Sequence, residues 1–130
     1  VSLVYRPFPL SFHKHAFDAA MAADCVFRQK GSTAFWKYAD SLMAANDLSS
    51  KRMLTLAKKQ KVSVSKFNAC ITNPDLSKAM EANVYNANLL QMEGTPTTFV
   101  VNRLTKKQEI VTGSVAEDVL QNVINEVKKK

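Results

Sequence analysis

The sequence contains few of the residues that build redox or metal motifs: two cysteines, two histidines and three glycines among 130 residues. Cys25 and Cys70 are far apart, so this chain has neither a C-x-x-C redox pair nor a cysteine-rich zinc site. His13 and His15 are two residues apart on a predicted helix and point to different faces, which is wrong for a shared metal. No apolar run reaches membrane-spanning length. The length and the 46% hydrophobic content predict one folded, helix-rich domain.

Basic residues outnumber acidic ones by 18 to 11, and many of them are lysines in short runs. The runs are Lys58 to Lys61, Lys106-Lys107 and Lys128 to Lys130. None contains an arginine or an interleaved aromatic residue, which nucleic-acid surfaces generally use. We therefore interpret the runs as solvated helix ends and expect no nucleic-acid partner.

Hydrophobic spacing predicts the order strand, five helices, hairpin and helix. The first strand is Val1–Arg6, ended by prolines, and the hairpin pairs Thr97–Asn102 with Gln108–Thr112. Ser114 to Glu117 fits a capping box, so the last helix is expected to begin there. The five helices are predicted from Phe12 to Lys30-Gly31, from Ser32 or Thr33 to Asn46, from Asp47 or Ser49 to Lys61, from Ser63 or Ser65 to Thr72, and from Asp75 to Met92.

The two cysteines allow two interpretations. Cys25 lies away from the main apolar face of its predicted helix, and a bridge to Cys70 would contribute roughly 3 to 4 kcal/mol in the chain-entropy model. Such a bridge would imply an oxidising compartment. The alternative is two unrelated buried thiols, which are common in protein cores.

The stretch from Gly94 to Asn102 places a proline directly before an apolar, β-branched strand. A proline cannot donate to a sheet ladder, so Pro96 belongs to the turn that leads into the strand. If the Thr95–Pro96 bond is cis, the backbone groups of Thr95 are left unpaired and facing outward. Such a ledge is a place where another chain can dock.

Together these pieces resemble the DsbA-like branch of the thioredoxin superfamily, bacterial thiol:disulfide oxidoreductases with a helical domain inserted into a thioredoxin fold. The matching stretches are Tyr5 to Leu10 followed by His13 and Ala16, Ala22 to Cys25, Phe35-Trp36, Phe67 to Cys70, and Gly94 to Asn102. The resemblance implies an α/β, thioredoxin-like fold with an inserted helical domain. In this single domain of residues 1–130, residues 1–10 and 94–130 form the thioredoxin-like part, and residues 11–93 form the mostly helical insertion.

The resemblance also assigns roles to individual residues. Pro96 is expected to be the cis-proline, and it binds a cysteine-containing peptide together with Thr95; Tyr5, Phe8 and Phe99 are expected to support them. Cys25 and Cys70 are expected to form a structural, non-catalytic disulfide, with no metal and no cofactor. The implied location is periplasmic or otherwise extracytoplasmic in a bacterium. Gln91 stands where the family often has glycine, which brings the usual left-handed helix termination into question.

The family's first strand, its C-x-x-C and the following helix should precede Val1, so this chain holds no catalytic residue and lacks the N-terminal βα unit. That strand normally lies between Val1–Arg6 and Thr97–Asn102, and its removal exposes two strand edges. We expect a longer parent protein, a strand borrowed from a second copy or another partner, or direct pairing of the two strands.

The leading hypothesis is the substrate-binding and helical part of a DsbA-like oxidoreductase that acts on exported polypeptides and is inactive alone. A redox partner protein and a strand-exchanged homodimer are compatible with it. The alternative is a non-catalytic, chaperone-like module that holds peptides at the cis-proline loop or at an exposed strand edge.

Overall fold

The structure is a computed structural model and describes residues 1–129 of the chain. It has mixed α/β composition, being mainly helical with a small antiparallel sheet. The backbone separates into two compact units, Val1–Ala87 (the helical unit) and the residues from Asn88 onward (the sheet unit). The elements are α1 (Ala16–Met43), α2 (Ser50–Lys59), α3 (Val64–Ile71), α4 (Pro74–Leu89), β1 (Thr97–Val101), β2 (Gln108–Thr112) and α5 (Glu117–Lys128).

Helix α1 contains the break that the sequence predicts at Lys30-Gly31. Gly31 has φ 76° and ψ −170°, a conformation outside the helical region that glycine adopts at little cost because it has no Cβ. The helix continues beyond this kink to Met43 and therefore contains both predicted helices. The helix begins at Ala16 and not at Phe12. Before it, the His13 N–H donates to the Leu10 carbonyl and the Ala16 N–H donates to the His13 carbonyl, so these residues form turns.

Serine caps fix the starts of α2 and α3, as the sequence predicts. The Ser49 hydroxyl accepts a hydrogen bond from the Arg52 N–H at 3.3 Å, and the Ser63 hydroxyl accepts one from the Lys66 N–H at 3.4 Å. The Asp47 carboxylate accepts hydrogen bonds from the hydroxyl and the N–H of Ser49, at 2.7 and 2.8 Å. These bonds hold the pKa of Asp47 below its ordinary value.

The predicted strand at Val1–Arg6 is wrong. This segment is exposed and forms no ladder, and β1 pairs only with β2 within residues 1–129, so direct pairing of the two predicted strands does not occur either. A strand needs a neighbouring strand to pair its backbone groups, and none lies beside this segment in that part of the chain. The Tyr5 ring instead packs against Phe35 and Trp36, with ring centroids 5.2 and 5.7 Å apart.

The capping box predicted at Ser114 is also wrong. Helix α5 begins at Glu117, its N-cap is Ala116, and no side chain caps it. In a capping box the glutamate occupies the third helical position, whereas Glu117 occupies the first, so Ser114 lies too far from the helix to cap it. The carboxylates of Glu117 and Asp118 lie in the first turn, where the helix dipole favours negative charge.

Helix α4 begins at Pro74, a residue that suits the first helical position because its missing N–H would be unpaired there. The helix ends at Leu89, three residues before the predicted end. Gln91 has φ 53° and its N–H donates to the Asn88 carbonyl at 2.9 Å. The left-handed termination that Gln91 had brought into question is therefore present, with a glutamine in the position where glycine is favoured.

In the sheet unit, β1 and β2 form an antiparallel hairpin in which Phe99 is opposite Ile110. Asn102 holds the turn, because its carboxamide oxygen accepts from the N–H groups of Leu104 and Thr105. Its carboxamide nitrogen donates to the Val127 carbonyl at 3.1 Å and so ties the hairpin to the end of α5.

The core of the helical unit is apolar and draws on all four helices. Tyr38 and Phe67 are its largest fully buried side chains. The Tyr38 hydroxyl donates to the Met53 carbonyl at 3.1 Å, which joins α1 to α2. The other buried members are Met21, Ala22, Ala23, Cys25, Val26, Leu42, Met53, Leu56, Ala57, Val62, Leu76 and Met80.

Replacing Tyr38 with phenylalanine should lower the free energy of unfolding by about 1 kcal/mol at neutral pH, because the buried hydrogen bond is lost. Burial raises the pKa of Tyr38. The folded state therefore disfavours the phenolate, and wild-type stability falls as the pH rises above the unfolded-state value of about 10. Urea unfolding at several pH values should show the deficit of Tyr38→Phe shrinking above pH ~10. A pH-independent difference would contradict this account.

Candidate peptide-binding loop and cysteine pair

The loop before β1 is held at both ends by short hydrogen bonds. The Thr97 hydroxyl donates to the Gly94 carbonyl at 2.8 Å, and the Gly113 N–H donates to the Pro96 carbonyl at 2.8 Å. The Thr95–Pro96 peptide bond between them is cis. These contacts fix the loop against the hairpin, since Thr97 is already paired with Thr112 in the ladder.

Thr95 is exposed, and its backbone N–H and C=O have no hydrogen-bond partner in the part of the chain that the structure describes. Neither its N–H nor its C=O takes part in a hydrogen bond with residues 1–129, whereas the carbonyl of the next residue, Pro96, is paired. An unpaired donor and acceptor on a fixed loop can bind the complementary groups of an extended polypeptide. The sequence places Thr95 and Pro96 at such a ledge, and their role in binding is a proposal.

Gly113 is a further residue of the site that the strand pattern did not predict. Its N–H donates to the Pro96 carbonyl of the loop, and the residue has φ 82°. The signal in the sequence is a glycine directly after a strand that pairs with the strand following Pro96. Such a glycine can turn its N–H back toward the neighbouring loop because positive φ costs it little.

The other edge of β1 has no strand beside it in residues 1–129, since the sheet contains two strands only. Phe99 and Val101 are 40% and 50% exposed on one face of β1, and Ile110 of β2 is 56% exposed opposite Phe99. An edge strand offers a row of backbone donors and acceptors for pairing. Of the three predicted supports, Phe99 lies here in the sheet unit, whereas Tyr5 and half-buried Phe8 lie in the helical unit.

Cys25 of α1 and Cys70 of α3 lie at disulfide-bonding distance, with 5.8 Å between their Cα atoms. Cys25 is fully buried, and neither sulfur is a free thiol. A second tie joins the same helices: the Gln29 carboxamide accepts from the Ser63 N–H at 2.9 Å and donates to the Ser63 carbonyl at 3.4 Å. The pair therefore fastens two helices of the core, and its structural role is a proposal.

The described residues contain no group of three histidine, cysteine or acidic side chains that could hold a metal ion. Within residues 1–129, no helix combines the length and the apolar character needed to cross a bilayer. The Tyr5 side chain is 53% exposed, but partial desolvation by its packing on Phe35 and Trp36 raises the pKa of its hydroxyl. At the loop, the exposed N–H and C=O of Thr95 can donate and accept hydrogen bonds.

A thioredoxin family model matches residues 1–126. The chain belongs to the thioredoxin family. The solved structures include a strong match, the crystal structure of Pseudomonas aeruginosa DsbA2, with a TM-score of 0.75 and 20% sequence identity over 96% of this chain and 70% of that chain. No curated protein matches the chain. The predicted membership of the thioredoxin superfamily and the thioredoxin-like α/β fold are thus confirmed, and the fold is similar to that of DsbA2.

Proposed function

We propose that this chain is the substrate-binding and helical part of a DsbA-like thiol:disulfide oxidoreductase. Its substrates would be cysteine-containing polypeptides exported to the periplasm or another extracytoplasmic space. One observation carries the proposal: Thr95 offers an unpaired N–H and C=O on a fixed, exposed loop beside an edge strand of a thioredoxin-family chain. The fastened cysteine pair agrees with an oxidising compartment.

Thiol–disulfide exchange requires a thiolate that attacks one sulfur of a disulfide, forms a mixed disulfide and releases the other sulfur as a thiolate. Cys25 and Cys70 are joined, and Cys25 is fully buried, so neither sulfur is available as an attacking thiolate. In the proposed role, these 130 residues bind and orient the peptide. The exchanging thiols belong to residues outside this sequence or to a redox partner protein.

The isolated chain should not reduce insulin or oxidise a dithiol peptide above the level of a Cys25→Ala/Cys70→Ala variant. The folded chain has no free thiol to attack insulin, and burial of Cys25 shields the Cys25–Cys70 bridge from attack by a peptide thiolate. Turnover can be followed by insulin turbidity with a reductant too weak to open the Cys25–Cys70 pair, and by the loss of dithiol in the absence of any reductant. Robust turnover that disappears in the double variant would contradict the proposal.

A fluorescent, extended cysteine-containing peptide should bind the chain through main-chain hydrogen bonds at Thr95. Replacing the peptide amide that contacts the loop with an N-methyl amide removes one donor and should weaken binding about tenfold. Scanning N-methyl groups along the peptide in fluorescence anisotropy locates that amide. Thr95→Ala keeps the backbone groups and should bind nearly as well as the wild type, whereas equal binding by every N-methylated peptide would argue against a main-chain ledge.

The free edge of β1 favours a second candidate, a non-catalytic module that holds extended peptides by adding them to the sheet. Such a module would suppress the aggregation of an unfolded, cysteine-free protein at stoichiometric amounts. The oxidoreductase part would not be expected to do so. The same edge could pair with that of a second copy, and sedimentation equilibrium would show such a strand-exchanged homodimer directly.

A further inference from the structure

The excess positive charge of the chain lies in one region of the helical unit. Between Leu48 and Pro74 there are six lysines and arginines and no acidic residue. The rest of the chain has twelve basic and eleven acidic residues, so this region supplies six of the seven net charges. The six cations are all exposed: Lys51, Arg52, Lys58, Lys59, Lys61 and Lys66. We call them the α2 basic surface.

Four of these cations share one face of α2. With 100° between successive residues, Lys51, Arg52, Lys58 and Lys59 fall within an arc of about 120°. Thr55 is the neutral residue in this arc and is exposed. The opposite face carries the buried side chains Met53, Leu56 and Ala57. The core therefore holds α2 in a fixed orientation, with its cations turned to solvent.

Helix-end solvation explains only part of this surface. Lys58 and Lys59 lie in the last turn of α2, where cations complement the helix dipole. Lys51 and Arg52 lie in the first turn, where cations are unfavourable and where this helix has no acidic residue. The cations at the start of α2 therefore destabilise this helix, and no acidic residue in its first turn compensates for them.

No carboxylate forms an ion pair with the α2 basic surface in residues 1–129. None of its six side chains takes part in an ion pair or a side-chain hydrogen bond with residues 1–129. The neighbouring Asp47 carboxylate accepts two hydrogen bonds from Ser49 and also interacts electrostatically with Arg52, without forming an ion pair with it. The positive potentials of these cations therefore add, and they extend about 8 Å into solvent at physiological ionic strength.

We propose that the α2 basic surface binds the anionic headgroups of a phospholipid bilayer. The surface is the outer face of a helix. The helical unit has a pocket near Phe17 and another near Pro74, and no residue of α2 lines either of them. Because these cations are distributed over the outer face of the helix and line no pocket, they can contact many headgroups of an anionic bilayer at once but cannot surround a small ligand. Five of the six cations are lysines, and no aromatic side chain lies on the exposed face of α2, so base stacking and deep insertion have no support.

The test is sedimentation of the chain with two kinds of vesicle at roughly physiological ionic strength. One kind contains phosphatidylcholine alone, and the other contains phosphatidylcholine with about 40% phosphatidylglycerol. The chain should bind only the anionic vesicles, and 1 M salt, with its Debye length of about 3 Å, should release it. The variant K51Q/R52Q/K58Q/K59Q should bind on the order of a thousandfold more weakly. Far-UV circular dichroism and thermal unfolding check that each variant is folded.

The matched control is K14Q/K30Q/K37Q/K78Q, which removes four exposed lysines elsewhere in the helical unit and leaves the same net charge. It should bind nearly as well as the wild type. Equal losses in the two variants would overturn the proposal, because net charge alone would then govern binding. The proposal also fails if the wild type ignores anionic vesicles, or if it binds polyglutamate or DNA but not vesicles.

Discussion

Reduction of the Cys25–Cys70 pair is expected to lower the free energy of unfolding by about 4 kcal/mol. The two residues are 45 apart in sequence, so the bridge closes a long loop and removes many conformations from the unfolded chain. For a domain of this size, a loss of that free energy should lower the melting temperature by roughly ten degrees or more. Urea unfolding with and without dithiothreitol measures the difference on the same protein.

The control for that experiment is Cys25→Ala/Cys70→Ala, whose stability should not respond to dithiothreitol. Alanine avoids placing a hydroxyl at the fully buried Cys25 position. The variant should resemble the reduced wild type, less a small cost for the lost sulfur atoms. A wild-type chain whose stability is unchanged by reductant would show that the two sulfurs are not bonded in solution.

Phe67→Ala should cost about 3–5 kcal/mol, because it removes a fully buried aromatic side chain and leaves a cavity. Phe67 is the one buried side chain of α3, a helix of eight residues. A helix this short is not stable by itself, so it needs both this buried ring and the Cys25–Cys70 bridge to α1. Equilibrium unfolding of the variant should show an earlier urea midpoint.

Phe27→Ala is the matched comparison, since it deletes the same ring from the same unit. Phe27 is 49% exposed, and its recorded aromatic neighbour is Phe35 at 6.2 Å between centroids. The expected cost is about 1 kcal/mol, the value of one partly exposed aromatic pair and its buried area. Equal costs for the two variants would mean that Phe67 is not the anchor of α3.

The helices could be predicted from the sequence where a local signal fixes them. Ser49 and Ser63 cap α2 and α3 with their own hydroxyls, and Gly31 marks the kink of α1 by its backbone freedom. Each of these signals acts within one turn of chain, so the sequence contains the whole cause. The hairpin was predicted for the same reason, because the two strands lie on either side of a short turn.

The two wrong predictions depended on partners. Val1–Arg6 has the composition of a strand, but composition does not supply the neighbouring backbone that a ladder requires, and its Tyr5 ring packs with aromatic residues of α1. Ser114 fits a capping pattern, yet the helix begins three residues later. A motif of four residues cannot by itself determine where α5 packs on the hairpin.

The candidate loop was identified from Thr95 and Pro96 because a proline at a strand entrance is a local signal. The N–H of Gly113 could not be assigned to the loop, since that contact depends on the hairpin register. The cysteine pair also required tertiary structure. From the residues alone a bridge and two free thiols were equally compatible, and the approach of α1 to α3 brings the sulfurs together.

Amide hydrogen exchange at Thr95, observed by NMR, tests the central claim most directly. In the free chain the Thr95 N–H should exchange rapidly because it is exposed and unpaired, whereas the Gly113 N–H should be protected by its bond to the Pro96 carbonyl. Saturation with an extended cysteine-containing peptide should slow amide exchange at Thr95 by about tenfold or more, the effect of one new hydrogen bond. The exchange rate of the Gly113 N–H should not change. A Thr95 amide that is already protected in the free chain, or that exchanges equally fast with peptide bound, would contradict the account.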